Sequence, residues 1–356
     1  MWFPPRSVPL TLAVVGPVTG GSAPVAAAAA RAFERLGHRV SFIDNRTFGP
    51  DLAACKTLPE GARQAEEVRV FLRAAAHTQK QLRESRPQLA LFLAQAPVLS
   101  PDDLAPLAER DVPTVFWFVE DYHVFSYWRQ AAPRFDHVWT LQQEPFTTAL
   151  LNLGVRYVDW VPLACEPGPL VEAPIDACGD VTFVGTGYPN RVAHLAALQV
   201  PGLRLFGPHF AAEPSLRPFV AHDGTLPHEG LADLFRGSRI NLNLSSEVDP
   251  RRFGSRKDLV NPRAFEICGA GGFQLADRLI PLEDFFEPGQ EVVTFGNAEE
   301  AREVIARYLR DDLARRRIAA QGHARAVAEH SYEARLGKAL SRLLARDGDR
   351  VYRAAG

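Results

Sequence analysis

A glycine-rich turn followed by an arginine lies near the middle of the chain. An apolar run ends at Val184, and Gly185-Thr-Gly-Tyr-Pro-Asn-Arg191 follows it. Backbone N–H groups in such a turn and at a helix start bind phosphate oxygens, and a guanidinium neutralises a diphosphate. This pattern predicts a diphosphate site held by Gly185, Thr186, Gly187 and Arg191. The alternative is that Arg191 is a solvated residue of the first helical turn, although cations are disfavoured at that helix end.

An arginine and a glutamate three residues apart mark a second candidate. Arg263-Ala-Phe-Glu266 lies in a short predicted helix, Pro262 to Cys268, which leads into the glycine-rich run Gly269-Ala-Gly-Gly272. Residues three apart share one helix face. A carboxylate there accepts hydrogen bonds from both hydroxyls of a ribose, and the guanidinium meets a phosphate. The alternative is an ion pair within the helix, worth only about 0.2–0.5 kcal/mol.

Acidic residues and a histidine follow a predicted strand in the first half of the chain. The strand runs from Thr114 to Val119, and Glu120, Asp121 and His123 come directly after it. Doubly wound sheets present functional groups at the carboxyl ends of their strands. One of these side chains is therefore a candidate general base that could take a proton from a hydroxyl, and histidine has a suitable pKa of about 6.5. A polar loop capped by Asp121 is the alternative.

Glycines also follow the first predicted strand, Leu10 to Gly16. The loop Gly16-Pro-Val-Thr-Gly20-Gly21 lacks the GxGxxG spacing and the GK[ST] ending of phosphate-binding motifs. Glycines at these three positions let a substrate approach the backbone and the N-terminus of the next helix. A permissive turn between strand and helix explains them equally well.

The elements around these residues form a repeating pattern. Strands and helices alternate along roughly the first 160 residues, and a second alternating series begins at Asp180. Such alternation predicts, in each half, a parallel sheet with helices on both faces. Helix breakers concentrate in Pro162 to Pro169, which we interpret as the linker. The predicted fold class is α/β, with two doubly wound domains and a ligand cleft between them.

Composition supports this organisation and narrows the ligand. A chain of 356 residues with 46% hydrophobic content is long enough for two domains. The formal net charge of -2 provides no field that would attract nucleic acid or an anionic membrane. The four cysteines show no CxxC pair or zinc-site spacing, so we expect buried, reduced thiols and no metal site. They are Cys55, Cys165, Cys178 and Cys268.

The sequence predicts neither a membrane span nor an export signal. The apolar run from Leu10 to Gly16, followed by Ala26 to Ala30, loosely imitates a signal peptide, but the run is too short and only Arg6 precedes it. No apolar stretch approaches the ~20 residues of a transmembrane helix. We therefore expect a cytoplasmic protein with no transmembrane segment, compatible with peripheral association with a membrane.

Several runs occur in the order typical of one family. They are Asp180-Val-Thr-Phe-Val-Gly-Thr-Gly-Tyr-Pro-Asn-Arg191, Ile240-Asn-Leu-Asn-Leu-Ser245, Arg263-Ala-Phe-Glu266, Gly269-Ala-Gly-Gly-Phe273, Leu282-Glu-Asp-Phe-Phe-Glu-Pro-Gly-Gln-Glu-Val-Val-Thr-Phe295 and His330-Ser-Tyr-Glu-Ala-Arg335. Together they resemble the C-terminal nucleotide-binding domain of group-one glycosyltransferases, most closely the branch of CgeB-like spore-maturation proteins. The resemblance covers about residues 180 to 345. The first part of the chain matches more loosely, through Phe116-Trp-Phe-Val-Glu-Asp121 and the strand near Asp136.

This resemblance implies a GT-B fold, with two Rossmann-like domains facing a cleft and a C-terminal helix, Glu333 to Leu344, crossing back to the first domain. The implied domains are an acceptor domain at 1–165, a nucleotide-sugar-binding domain at 166–345 and a tail at 346–356. The substrates would be a nucleoside diphosphate sugar, with a UDP-sugar expected, and a hydroxyl on a glycan, a lipid-linked saccharide or a protein. No metal would be obligatory.

The resemblance also assigns roles within the second domain. Glu266 matches the glutamate that binds ribose, and Ser245 and Arg263 would add donors to the diphosphate. In the wider group a second glutamate precedes the first in an E-x7-E pattern, and Asp258 occupies that place here. This shorter acid is a departure, which leaves the sugar contact and a retaining outcome open. Phe206-Gly-Pro-His-Phe210 is a candidate wall for the nucleobase, although packing explains its aromatic rings nearly as well.

The predicted activity is that of a hexosyltransferase of class EC 2.4. Two other functions fit the same pattern. A sugar-nucleotide epimerase of GT-B fold would share the donor site, and it would release nucleotide without a saccharide acceptor. A non-catalytic, two-lobed binding protein for a small ligand would share the α/β architecture and would bind no nucleotide.

Overall fold

The computed structural model describes residues 8–170, 179–228 and 230–354. The chain folds into two compact units, of which the first combines Met1–Pro162 with Tyr332–Gly356 and the second is Leu163–Ser331. Each unit contains a six-stranded sheet in which every neighbouring pair of strands is parallel. The predicted pair of doubly wound α/β domains is therefore confirmed.

The strands are numbered in chain order. Those of the first unit are β1 (Thr11–Val15), β2 (Arg39–Ile43), β3 (Leu89–Leu93), β4 (Thr114–Phe118), β5 (His137–Thr140) and β6 (Tyr157–Trp160). Those of the second unit are β7 (Gly179–Val184), β8 (Leu203–Phe206), β9 (Val220–His222), β10 (Ser238–Asn243), β11 (Gln274–Asp277) and β12 (Val293–Phe295). Apolar runs such as β3 and β4 are buried along their whole length, as expected for parallel strands covered on both faces.

Helices connect these strands. In the first unit they are α1 (Ser22–Arg35), α2 (Gly49–Cys55), α3 (Glu60–Ser85), α4 (Ala105–Ala108), α5 (Trp128–Ala131) and α6 (Phe146–Asn152). In the second unit they are α7 (Pro189–Leu198), α8 (Leu231–Arg236), α9 (Arg263–Gly269), α10 (Ala298–Arg310) and α11 (Asp312–Glu329). The last helix, α12 (Tyr332–Arg353), belongs to the first unit.

In each sheet the chain adds strands first towards one edge and then towards the other. The strand order therefore changes direction at one point of each sheet. The strand order is β2-β1-β3-β4-β5-β6 in the first unit, so the change falls between β1 and β3. In the second unit the order is β12-β11-β10-β7-β8-β9, and the change falls between β7 and β10. Ligands of doubly wound sheets bind outside the carboxyl ends of the strands at this position. The topology therefore places two loops of each unit at the position where a ligand is expected to bind.

The last helix packs on the first unit, which confirms the predicted crossing. Arg35 of α1 and Glu333 of α12 form an ion pair, and Arg346 donates a hydrogen bond of 2.8 Å to the buried carboxylate of Asp159. The compact units consequently end at Pro162 and Ser331, whereas the predicted domain limits are 165 and 345. The predicted tail at 346–356 begins within α12, because this helix continues to Arg353.

The predicted linker, Pro162 to Pro169, is largely held by the second unit. The Cys165 N–H donates to the His330 carbonyl at 3.0 Å, and the Gly168 N–H donates to the Gly269 carbonyl at 3.2 Å. Leu163, Ala164 and Cys165 are buried. Its prolines do break regular structure as expected, but the backbone after Pro162 is fixed by these bonds.

Several further expectations can be compared with the fold. The apolar run that imitates a signal peptide forms β1, and its Leu12–Val15 part is buried in the first sheet. Cys55, Cys165 and Cys268 are buried and free, as predicted, and Cys178 lies outside the described residues. The sequence pattern missed α6 and the three-residue edge strand β9. None of the described helices combines the length and the apolar character needed to cross a membrane.

Candidate functional site

The change of direction in the second sheet brings two predicted segments together. The Gly185 turn follows β7, and Ser245 follows β10, which lies directly beside β7 in the sheet. Arg263 lies at the start of α9, and its Nε is 3.4 Å from the carbonyl oxygen of Val184, the last residue of β7. The structure thus places the diphosphate turn and the Arg263–Glu266 helix next to each other.

Two N–H groups of the Gly185 turn are already bonded, contrary to the predicted phosphate cradle. The Gly185 N–H donates to the Phe206 carbonyl and the Gly187 N–H to the Pro208 carbonyl, both at 2.9 Å. These bonds extend the pairing of β7 with β8 beyond the ends of the strands. Within the described parts of the chain, the N–H of Thr186 has no hydrogen-bond partner. It is therefore the donor of this turn that remains for a ligand.

The glycines around this turn are required by close packing. A Cβ on Gly187 would lie 3.0 Å from the Pro208 carbonyl oxygen and 3.1 Å from the Phe210 ring. A Cβ on Gly207 would lie only 2.0 Å from the Gly185 carbonyl oxygen, and Gly207 has a φ of +141°. Both glycines therefore let the segments after β7 and β8 run side by side. Phe210 is fully buried against Phe183, so packing explains this ring of the proposed nucleobase wall.

Arg191 is buried and joins the ends of two strands. Its guanidinium donates to the carbonyls of Leu244 and Ser245 after β10 and to the carbonyl of Thr186 after β7, at 2.8–3.2 Å. Burial lowers its pKa to about 10, so it stays protonated at neutral pH. The solvated alternative is wrong, because only 8% of the residue is exposed. Its bonds are those of a residue that positions the site.

Two residues that the sequence analysis missed complete this network. The Asn190 side chain accepts from the Glu247 N–H and donates to the Ser245 carbonyl, both at 2.9 Å. Asp277, at the end of β11, accepts from the Ser245 N–H at 2.7 Å, and burial raises its pKa. Ser245 itself is buried. Its N–H donates to Asp277, and its carbonyl accepts from Asn190 and Arg191. Asn190 is the neighbour of Arg191 in the sequence, and this adjacency is the feature that could have identified it as a site residue.

The helix that carries Arg263 and Glu266 is held over the end of β10 by asparagines. Asn261 donates to Asn243 Oδ1 at 2.8 Å, and its own Oδ1 accepts from the Ala264 N–H at 3.3 Å. The Arg263 and Glu266 side chains form an ion pair in which both remain partly exposed, at 26% and 18%. The intrahelical pair that was the alternative interpretation is therefore present, and it lies beside the Gly185 turn.

Asp258 lies on an exposed loop. Its neighbour Lys257 holds this loop through a 2.6 Å ion pair with Glu247, in which both side chains are buried. Burial tends to raise the pKa of Glu247, but hydrogen bonds from Lys257 and from backbone N–H groups outweigh it and lower the pKa. The structure thus positions Lys257 firmly and leaves the Asp258 residue facing solvent.

In the first unit, the corresponding point lies between β1 and β3. Gly20 has a φ of +103°, and a Cβ there would lie 2.9 Å from Oε1 of Gln95, the second residue after β3. Gln95 Nε2 donates to Glu120 at 2.6 Å, and the Tyr127 hydroxyl donates to the other oxygen of Glu120 at 2.5 Å. Burial raises the pKa of Glu120. The predicted Gly20 loop and Glu120 are therefore joined through Gln95, which the sequence analysis missed.

The remaining predicted residues of the first unit have other surroundings. Asp121 accepts from the His123 N–H at 2.9 Å and from Gln142 at 3.2 Å, which supports its capping interpretation. His123 is exposed and its ring lies 4.0 Å from that of Tyr122. Gly16 receives a hydrogen bond from Asn45 at its carbonyl, and Gly21 precedes α1 with open space around it. Among the three candidate bases, Glu120 is the one that accepts a hydrogen bond from Gln95, whose side chain lies beside Gly20.

Comparisons with known proteins agree with this architecture. Residues 180–341 match the family model described as glycosyl transferase-like. Sucrose-phosphate synthase from Thermosynechococcus elongatus has 15% identity and a TM-score of 0.60, covering 95% of this chain and 99% of its own. HepE from Anabaena, in complex with UDP-glucose, has 13% identity and a TM-score of 0.58, and the match covers 94% of this chain and 99% of HepE. A glycosyltransferase from Rickettsia africae has 12% identity and a TM-score of 0.59, and the match covers 95% of this chain and 98% of that protein.

The fold is therefore that of GT-B glycosyltransferases, as predicted. The part of the chain that matches the glycosyl transferase-like model coincides with most of the second unit and the start of α12. No curated protein matches the sequence. Over the residues that the structure describes, no group of three or more His, Cys, Asp or Glu side chains could hold a metal ion.

Proposed function

We propose that this protein transfers a sugar from a nucleoside diphosphate sugar to a hydroxyl acceptor. The observation that carries the proposal is the placement of Arg263, Glu266 and the Gly185 turn at one end of the second sheet. They lie at the position where doubly wound sheets bind ligands, in the part of the chain that matches the glycosyl transferase-like model.

The donor would be held by the second unit. Glu266 would accept hydrogen bonds from the ribose hydroxyls, and Arg263 would bind the diphosphate, together with the free N–H of Thr186. Arg191 would act indirectly, by fixing the two loops that surround the diphosphate. A UDP-sugar is the expected donor, and HepE, which shares the fold, was solved in complex with UDP-glucose.

The reaction breaks the bond between the anomeric carbon and the diphosphate oxygen. The acceptor oxygen forms the new bond to that carbon, and the acceptor proton passes to a base. Arg263 would stabilise the negative charge that develops on the leaving diphosphate. In an inverting reaction, Glu120 would take the proton, because burial raises the pKa of this carboxylate and makes it a stronger base.

The finer assignments belong to this proposal as well. The protein would be a cytoplasmic hexosyltransferase of the CgeB-like branch that needs no metal. Asp258, on its exposed loop, would contact the sugar. His123 and Asp121 remain weaker candidates for the base, since Asp121 is engaged in the loop that contains both residues.

Calorimetry tests the donor site directly. The purified protein is titrated with UDP, GDP, dTDP and ADP, and so are Arg263→Ala and Glu266→Ala variants. We expect one nucleotide to bind and both variants to lose at least tenfold in affinity, which is about 1.4 kcal/mol. Arg69→Ala and Glu66→Ala are matched controls, because this exposed pair on α3 has the same spacing of three residues. Controls should bind like the unchanged protein.

Two results would contradict the proposal. A folded protein that binds none of the four nucleotides would sink the donor site and favour a small-ligand binding protein. Release of nucleotide from its sugar conjugate without any acceptor or transfer product would instead favour the epimerase, and product analysis by mass spectrometry distinguishes these cases.

A further inference from the structure

A cavity of about 350 Å³ opens at the carboxyl end of the first sheet. Its wall includes Val18 and Thr19 after β1, Phe92 near the end of β3, and Phe116 in β4. The cavity therefore lies at the change of direction between β1 and β3, where doubly wound sheets bind ligands. None of the residues proposed to hold the donor lines this cavity.

The wall of this cavity is apolar apart from one cluster of polar side chains. No charged side chain of the described residues lines it, and its polar lining side chains are Thr19, Gln95 and Tyr127. Gln95 and Tyr127 both donate to Glu120, so the one carboxylate near the cavity lies behind this cluster. A glycan in the cavity would bury hydroxyls against apolar rings without partners, which is unfavourable. The lining therefore favours an apolar ligand with a single polar end.

The backbone at the polar cluster is unusual. Gln95 has a φ of +64°, a left-handed conformation that is uncommon for residues other than glycine. Residues held in such conformations concentrate at functional sites. Here the conformation accompanies a side chain that meets both the Gly20 loop and Glu120. The cluster is thus built into the turn after β3.

The size and the opening of the cavity limit the ligand further. An apolar cavity of about 150 Å³ holds one benzene ring, so this one accommodates a group of about two rings. Leu99 and Phe125 line the cavity and remain 43% and 40% exposed, and the neighbouring Val124 is 54% exposed. An apolar entrance of this kind suits a ligand whose body is apolar as well.

We infer that this cavity binds the apolar part of the acceptor, a group of about two fused rings, with its hydroxyl held by Gln95 and Tyr127, whose side chains Glu120 positions from behind. This inference rests on the proposed transferase function and narrows its acceptor to an aromatic or similarly compact apolar alcohol.

Fluorescence titration with 2-naphthol tests the inference on the intact protein. We expect saturable, one-to-one binding, weakened at least tenfold by Val98→Trp, which fills the cavity. Val327→Trp is the matched control, because Val327 is 47% exposed on α11 and does not line the cavity. Leu99→Arg, at the exposed entrance, provides a second variant with little risk to folding. Glu120→Gln should weaken 2-naphthol and leave naphthalene, which has no hydroxyl, unaffected.

The outcomes separate this inference from the donor proposal. A protein that binds UDP but shows no saturable 2-naphthol binding overturns the acceptor cavity and leaves the donor site standing. Equal binding of 2-naphthol by the Val98→Trp, Leu99→Arg and Val327→Trp variants also overturns it. Saturable binding by a protein that binds no nucleoside diphosphate would retain the cavity as a ligand site and refute its role as an acceptor site.

Discussion

The buried guanidinium of Arg191 ties the ends of β7 and β10 together, and its replacement by methionine measures this contribution. Methionine keeps an apolar side chain of similar length but donates no hydrogen bonds. The carbonyls of Thr186, Leu244 and Ser245 each lose a charged donor. Each keeps one other donor, from Tyr188, Asn261 and Asn190 respectively.

The expected loss of stability follows from these bonds. No carbonyl is left wholly unpaired, so each carbonyl that loses its charged donor is counted at about 1 kcal/mol, near the low end of the range for buried groups. Three carbonyls then predict that Arg191→Met lowers the free energy of unfolding by about 3 kcal/mol, a large part of the ~5–15 kcal/mol of a typical domain. Guanidinium chloride denaturation followed by circular dichroism measures this difference.

A matched control and a clear refutation accompany this measurement. Arg317→Met makes the same substitution at an exposed position of α11, and we expect a change within about 0.5 kcal/mol. A loss below about 1 kcal/mol in Arg191→Met, combined with a large loss of nucleotide affinity, would refute the positioning role. It would instead restore the sequence-based interpretation, in which Arg191 binds the diphosphate directly.

Two further predictions follow from the same structure. Gly207→Ala places a Cβ 2.0 Å from the Gly185 carbonyl oxygen, so we expect a strongly lowered melting temperature and weakened nucleotide binding. The control Gly61→Ala, at an open position of α3, should leave nucleotide binding unchanged and should not lower the melting temperature. Glu120 has a pKa raised above 4.5, so the stability that its protonated form contributes is present at low pH and lost as pH rises through the raised value. Thermal unfolding at pH 4.5 and pH 8 should therefore show Glu120→Gln gaining stability relative to the unchanged protein at the higher pH. If the difference in stability between the two proteins is the same at both pH values, the burial argument is wrong.

Local patterns in the sequence were sufficient for most elements of the fold. The strand predicted from Thr114 to Val119 is observed as Thr114–Phe118, because a short apolar run between turn residues is itself the signal of a buried strand. The strand β9 was missed because it has three residues at a sheet edge, where no hydrophobic pattern is required. The helix α6 was likewise too short to show a clear period.

Residues of the candidate site that are close in sequence could be recognised together. Arg263 and Glu266 were paired correctly, because helical geometry alone places residues three apart on one face. Gln95 and Tyr127, which hold Glu120, come from different loops, and no local pattern relates them. Their association is a consequence of the strand order, which brings the ends of β3 and β4 side by side.

By itself, the sequence determined the α/β class, most strands and helices, and the turns at which polar and glycine residues collect, since these follow from local hydrophobic periodicity and backbone preferences. The tertiary structure decided which of those polar groups are available to a ligand. The N–H groups of Gly185 and Gly187 are consumed by the segment after β8, and the guanidinium of Arg191 is consumed by the segment after β10. Hydrogen bonds between distant segments satisfy donors that look free in the sequence, because the large majority of buried polar groups find a partner when the chain folds.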